Sequence, residues 1–274
     1  MMFGGIVPGA AMRADPELAR LLDQELVTQW VWFGDKHCAL CFPIAKGEDC
    51  ALYLYTPDTG SSDDWGELVS AGDLASHATG AEQRLQKLAR LAHHTTRQQL
   101  REWPDLDDWV HESGRLVVIG EAAHPFPPGS IQGASMSLED ASVLGKLFSH
   151  LISHDQIESF LVAFQELRQE RAKKNRIMDM ANIFFMTASG EEAALRDAAM
   201  AAMHEAGKDV LGGEDGNKQQ WDENRDTFDY DAEDEADNWW VQWGLLRERA
   251  KASNALANAA PIPGVLAFPI IESQ

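Results

Sequence analysis

The chain has 274 residues and carries 44 Asp+Glu against 23 Lys+Arg, a formal charge of −21 with histidine neutral. Hydrophobic residues make up 45% and charged residues 24%, a globular composition that excludes wholesale disorder and collagen-like repeats. The acidic balance argues against a nucleic-acid binder and against docking on an anionic membrane surface.

No apolar run approaches the ~18 residues of a spanning helix, so no membrane span is expected. Met1–Gly9 has no basic stretch ahead of its apolar residues and does not read as a secretory signal. The expectation is a soluble, cytoplasmic protein.

In chain order, residues 16–24 (PELARLLDQ) predict a short helix opened by proline. Leu26–Phe33, Cys38–Ile44 and Ala51–Tyr55 predict three strands, parted by Gly34-Asp35 and Gly47-Glu48-Asp49. That pattern is an antiparallel meander, with Trp30, Trp32 and Tyr53 as candidate core or pocket aromatics, core being the expected role. Cys38 and Cys41 form a CxxC inside a strand, where side chains three apart face opposite ways, and no second CxxC completes a zinc site. The cysteines read as buried structural thiols.

Thr56–Gly66 is a polar loop, and Ala81–Glu102 predicts one helix. Its apolar stripe is Leu85, Leu88 and Ala92, and Arg84, Lys87, Arg97 and Arg101 form a solvated basic face. His93-His94 has no carboxylate or thiol at ligand spacing, and no metal site is expected.

After a Pro- and Asp-bearing connection, Arg115–Ile119 (RLVVI) predicts a strand buried on both faces, as in a parallel sheet. Gly120–Gly133 is a Gly/Pro-rich loop. A helix is predicted from Ser135 or Ser137 to about His154, with Glu139-Asp140 in its first turn. A second runs from near Asp155 towards Met186 with a basic centre at Arg168, Arg171, Lys173, Lys174 and Arg176. Gly212–Asn238 reads as an acid-rich solvated loop with a helix start, followed by Trp239, Trp240 and Trp243 as anchors of the tail.

The informative stretch is Gly120-Glu-Ala-Ala-His-Pro-Phe-Pro-Pro-Gly-Ser-Ile-Gln-Gly-Ala-Ser-Met-Ser-Leu-Glu-Asp-Ala141. An acid ends an apolar strand, a loop follows, and a helix opens. Strand ends in a doubly wound sheet face a ligand crevice, and a helix start there presents N–H groups and partial positive charge. The combination suits a cofactor bearing hydroxyls and developing negative charge.

This stretch resembles the second FAD fingerprint, GDAAHPxxPxxGQGxNxxxEDA, of the class A flavoprotein monooxygenases, in particular their salicylate-hydroxylase-like branch. Gly120, Ala122, Ala123, His124, Pro125, Pro128, Gln132, Gly133, Glu139, Asp140 and Ala141 match without a gap. Trp32-Phe33-Gly34 with Phe42-Pro43-Ile44 is similar to the family's substrate-domain sheet. Phe164–Arg171 is similar to its YExxRxxR helix, and Tyr230–Glu233 to its C-terminal region.

The resemblance implies an α+β fold: an antiparallel substrate-domain sheet with a helix over 1–102, a partial FAD-binding (Rossmann-type) segment over 103–154, and C-terminal helices with an acidic, Trp-rich tail over 155–274. It implies FAD, NAD(P)H as reductant, and hydroxylation or epoxidation of an aromatic or polyketide-like small molecule of secondary metabolism. By position, Glu121 would bond the ribityl chain, and Pro128, Gly133, Ala134 and Ser135 would lie along the isoalloxazine. No catalytic residue is assigned.

Three departures accompany the matches. Glu121 stands for Asp, moving the carboxylate by about 1 Å. Ile131 stands for a loop glycine, without its freedom at positive φ. Ser135 stands for Asn and serves as a candidate N-cap. A GxGxxG βαβ unit is also missing, since Gly4-Gly5…Gly9 has too few residues before it for the required strand.

The chain thus reads as starting in the substrate domain, and three expectations follow. It is a flavin monooxygenase; or a flavin-free cyclase, isomerase or binding protein using His124 and Glu121 as an acid/base pair; or a piece completed by an N-terminal FAD-domain chain or a homo-oligomer.

Overall fold

Met2–Pro8 (MFGGIVP) is the strand around which the sheet is built, although the sequence reading treats it only as too short for a nucleotide-binding unit. The computed structural model describes residues 1–23, 29–58, 60, 66–207, 225 and 227–258. Within them, six antiparallel strands lie in the order β2-β3-β4-β1-β6-β5. They are β1 (Met2–Pro8), β2 (Trp30–Phe33), β3 (Cys38–Ile44), β4 (Asp49–Tyr55), β5 (Glu67–Leu68) and β6 (His93–Gln98). The predicted meander is β2-β3-β4; the part of its first strand at residues 24–28 lies outside the described residues.

Alternation along the strands divides two cores. Phe3, Val7, Ala39, Cys41, Leu52 and Leu54 point to one face. There α1 (Gly9–Ala14), α2 (Pro16–Leu22), α3 (Ala71–His77) and α4 (Gln83–Leu91) cover them with Met12, Leu18, Leu74, Leu85 and Leu88. Met2, Cys38, Leu40 and Tyr55 point to the other. Cys38 and Cys41 therefore do face opposite ways, and all three cysteines are buried. Burial pushes the Cys38 thiol up to about 12.

The single helix expected over Ala81–Glu102 is two elements. Helix α4 ends at Leu91, Ala92 turns to extended backbone, and β6 follows. Pairing of β6 with β1, with a bulge between Gly4 and Ile6, overrides the helical spacing of the basic residues. Arg97 consequently pairs with Glu67 across β5–β6 and is no part of a solvated basic face.

Arg115–Ile119 is likewise no sheet strand. It makes one antiparallel bridge, Val110↔Val117, and its neighbour's other edge is held by Gln165, whose Oε1 accepts the N–H groups of Trp109 (2.7 Å) and Val110 (2.9 Å). Leu116 is 59% and Ile119 40% exposed, where burial on both faces is expected. What residues 103–154 contribute beyond loops is α5 (Gly133–Ser149), without a named strand among the described residues.

A further core lies between α5, α6 (Ile157–Met186) and α8 (Ala232–Trp239), built from Val143, Leu147, Phe160, Phe164, Ala236 and Trp239. Helix α7 (Gly190–Glu205) precedes α8, and α9 (Leu245–Asn258) follows it. Trp239 is buried and Trp240 stacks on His150 at 4.8 Å, as the anchoring role requires; Trp243 is 57% exposed and anchors nothing in this core. Most of the acid-rich run, residues 212–224 and 226, lies outside the described residues.

Leu88 is fully buried on α4 against the sheet. Leu88→Ala is expected to lower unfolding stability by about 2–5 kcal/mol, read from the urea midpoint at unchanged slope.

Candidate functional site

The Gly120–Ala141 stretch is organised by one buried carboxylate. Asp140, two turns into α5 and fully buried, accepts the Gly120 N–H at 2.9 Å and the Arg168 Nε–H at 2.8 Å, and lies 2.7 Å from His124 Nε2. Facing a carboxylate, His124 Nε2 carries its proton; Nδ1 has no hydrogen-bond partner among the described residues. Arg168, itself fully buried on α6, also donates to Glu139 (2.6 Å) and to the Met136 carbonyl (3.2 Å). Arg171 closes on Glu139 with bonds of 2.7 and 2.8 Å, and its guanidinium carbon stands 3.7 Å from the Tyr230 ring centre.

Burial alone would push the Asp140 carboxyl up, but hydrogen bonds from His124, Arg168 and Gly120 outweigh it and hold the group below its ordinary value. Burial works against the Arg168 cation too, and Asp140 and its neighbours reverse that, so it stays charged. The sequence reading places Glu139-Asp140 in the first turn as partners of the helix dipole. The helix instead begins at Gly133, and both acids are ion-pair partners of α6.

The loop between is held from both sides. Glu121 accepts the Phe126 N–H at 3.1 Å. Ser130 Oγ accepts the N–H groups of Gln132 (3.1 Å) and Gly133 (2.9 Å) while donating to Asp179. Gln132, and not Ser135, is therefore the N-cap position of α5, and the Ser130 hydroxyl, two residues earlier, holds its amide and that of Gly133. Burial raises the Asp179 carboxyl, opposed by Ser130 and by the amides of Gln132 and Ile131.

The positive φ angles of the loop fall at Gly120 (φ 62) and Gly129 (φ 79), so Ile131 needs no glycine's freedom. A Cβ on Gly129 would stand 2.5 Å from Tyr55 Oη and 2.7 Å from Met2 Sδ, so the loop rests directly on the sheet. There the Tyr55 hydroxyl donates to the Pro128 carbonyl at 3.4 Å.

Of the predicted site residues, Glu121, Gly133, Ala134 and Ser135 come together: a Cβ on Gly133 would lie 3.0 Å from Glu121 Oε1, and Ala134 and Ser135 are exposed in the next positions of the helix. Pro128 sits apart, at the sheet end of the loop. An exposed acid beside exposed first-turn residues fits the ribityl-and-ring half of a flavin. With the Gln132 and Gly133 amides taken by Ser130, a ligand at the helix start would meet Ala134 and Ser135 instead.

His124 faces Asp140, so the acid/base pairing with Glu121 is not formed. Behind the loop an open cleft of about 420 Å³ is lined by Trp103, Pro125, Pro127, Ile177, Met180 and Phe184. Sequence reasoning missed Tyr55, Ser130 and Asp179; Asp179 lies 49 residues from Ser130, and no local pattern marks it.

No protein-family model matches the chain. Sequence comparison finds the FAD-dependent monooxygenase OpS4 of Beauveria bassiana, 28% identical over 163 residues, covering 60% of this chain and 38% of that protein. It also finds the FAD-dependent monooxygenase nodY2 of Hypoxylon pulicicidum, 29% identical over 179 residues, covering 62% and 38%. This chain is similar in sequence to FAD-dependent monooxygenases. Its fold agrees: a salicylate hydroxylase substrate complex superposes with a TM-score of 0.62 at 21% identity, over 86% of this chain and 55% of that one. The chain thus spans about two-fifths to just over half the length of these relatives.

Arg168→Met leaves Asp140 without its guanidinium partner and is expected to lower stability by about 3–5 kcal/mol in chemical unfolding. Because the folded Asp140 carboxyl lies below its unfolded value, its contribution is present above about pH 4 and is lost as pH falls through the folded value. Asp140→Asn is therefore expected to flatten the acid limb of the stability–pH curve, measured by urea unfolding between pH 2 and 7.

Proposed function

We propose that the chain forms the substrate-domain and ring-facing portion of an FAD-dependent monooxygenase that hydroxylates or epoxidises an aromatic or polyketide-like molecule. The single observation that carries the reading is the gap-free Gly120–Ala141 resemblance to the fingerprint, supported by a loop and helix start at which Glu121, Ala134 and Ser135 are exposed.

Glu121 would hold the ribityl hydroxyls, and Ala134 and Ser135 would lie along the ring edge. Bound FAD would supply electrons taken from NAD(P)H and the delivery of one oxygen atom to substrate. The chain's own task is positional. The Asp140–Arg168 pair pins Gly120 and so fixes where Glu121 starts; Gly133, lacking a side chain, lets Glu121 approach the helix. The cleft between Pro125, Pro127 and α6 is a mostly apolar space, bordered by Arg101, Glu102 and Arg176, of suitable size for a substrate of two or three rings.

One observation favours a second component. Leu116, Ile119, Ile131 (64% exposed) and Leu138 (71% exposed) leave apolar side chains in water on the segments flanking Glu121. We infer that further FAD-domain polypeptide, in the same or another chain, covers this edge and supplies the remaining cofactor contacts.

The test is titration of the chain with FAD, followed by flavin fluorescence and by absorbance between 350 and 500 nm. Saturable quenching, weakened at least tenfold in Glu121→Ala, is expected. An identical titration for wild type and Glu121→Ala, or none at millimolar FAD, would sink the reading for this chain by itself.

A further inference from the structure

The sheet carries a second concavity, on the face turned away from the Gly120–Gly133 loop. It has a volume of about 440 Å³ and lies between the β2–β3 turn and the α3–α4 connection. Its floor is apolar, from Ala39, Leu54 and Leu85, which belong to the helix-covered core.

Two of its walls are aromatic rings held by neighbours. The Trp32 indole N–H donates to Glu82 at 3.0 Å, and the His77 ring rests on Phe3 with centroids 4.5 Å apart. At the mouth, His37 Nδ1 donates to the Asp35 carbonyl at 2.8 Å, which fixes the orientation of its ring. A mostly apolar hollow of this size with a few fixed polar groups has the make-up of a small-molecule site.

Charge selects the ligand. Among the described residues that line the hollow, the acids are Asp35 and Glu82, and there is no lysine or arginine. Arg84 pairs with Glu82 at 2.9 Å from outside the hollow, with both side chains more than 40% exposed, so solvent screens that pair. Burial and then the neighbouring His37 hold the His77 imidazole below its ordinary value, with Asp73 opposing and Arg97 adding to the effect, so His77 is neutral at pH 7. The protein's net charge of −21 adds to the local field. Carboxylates and phosphates are disfavoured, while a flat cation gains both the acids and the ring faces.

We propose that this hollow is a binding site for a planar heteroaromatic cation, stacked against Trp32 and His77 with its charge towards Glu82 and Asp35. The site is separated from the fingerprint loop by the sheet, and the proposal stands or falls independently of flavin binding.

The experiment is a fluorescence titration with proflavine, a planar tricyclic cation, at about 0.15 M salt to screen surface attraction, alongside the anionic tricycle 9-anthracenecarboxylate. Saturable binding of proflavine is expected, with at least tenfold weakening in Glu82→Gln and in Thr79→Trp, whose indole fills the mouth from an exposed loop position. Circular dichroism confirms that both variants are folded. Binding unaffected by Glu121→Ala and not displaced by FAD is also expected. No saturable binding, equal affinity for the anion, an unchanged Thr79→Trp titration, or displacement by FAD would each overturn the assignment.

Discussion

Both oxygens of Asp140 are engaged inside the protein, and the rest of the site follows from that. One meets Gly120 and His124, the other Arg168, so a loop start, a helix and a second helix converge on one carboxylate. Alone, a buried carboxylate or a buried guanidinium would lose several kcal/mol of solvation; together, with Glu139 and the Met136 carbonyl completing the guanidinium's bonds, the penalty is largely offset. The offset requires close geometry, and close geometry is what sets α5 against α6. Asp140 stands seven residues beyond Gly133, about 10 Å along the helix, which brings it level with Gly120 while the first turn remains at the surface.

The loop is consequently fixed at three places by different chemistry. Gly120 is tied to Asp140, Ser130 to Asp179 on α6, and Gly129 is pressed against Tyr55 and Met2 on the sheet. These ties connect the sheet, through Tyr55 and Met2, and α6, through Asp179, to the same loop. They also consume hydrogen-bonding capacity: the Ser130 hydroxyl takes two amides that a bare helix start would offer to a ligand. The exposed portion is smaller than the motif, and it is bordered by the uncovered apolar side chains of Leu116, Ile119, Ile131 and Leu138.

Legibility of the sequence varied with how local the deciding interaction is. The β2-β3-β4 meander and the long α6 were readable because turn residues, strand alternation and helical spacing lie within a dozen residues. Residues 81–102 misled because Arg97 and Arg101 continue a helix-compatible spacing, while the competing partner of that stretch, β1, lies some ninety residues earlier. Arg115–Ile119 misled for the complementary reason. An apolar run states that burial is available, not that a neighbouring strand is present, and here the side chain of Gln165 holds the adjacent edge.

The amino-acid order by itself determined the resemblance to FAD-dependent monooxygenases, the β2-β3-β4 meander and the burial of the cysteines, since motif spacing and apolar patterning are properties of the chain. Only the tertiary structure decided that Glu139 and Asp140 serve α6 and not the helix dipole, that Ser130 holds the Gln132 and Gly133 amides, and that His124 belongs to Asp140. Each of those roles depends on a pairing across a span of chain, and electrostatics in a buried space is set by which groups arrive there together, a fact that no local window contains.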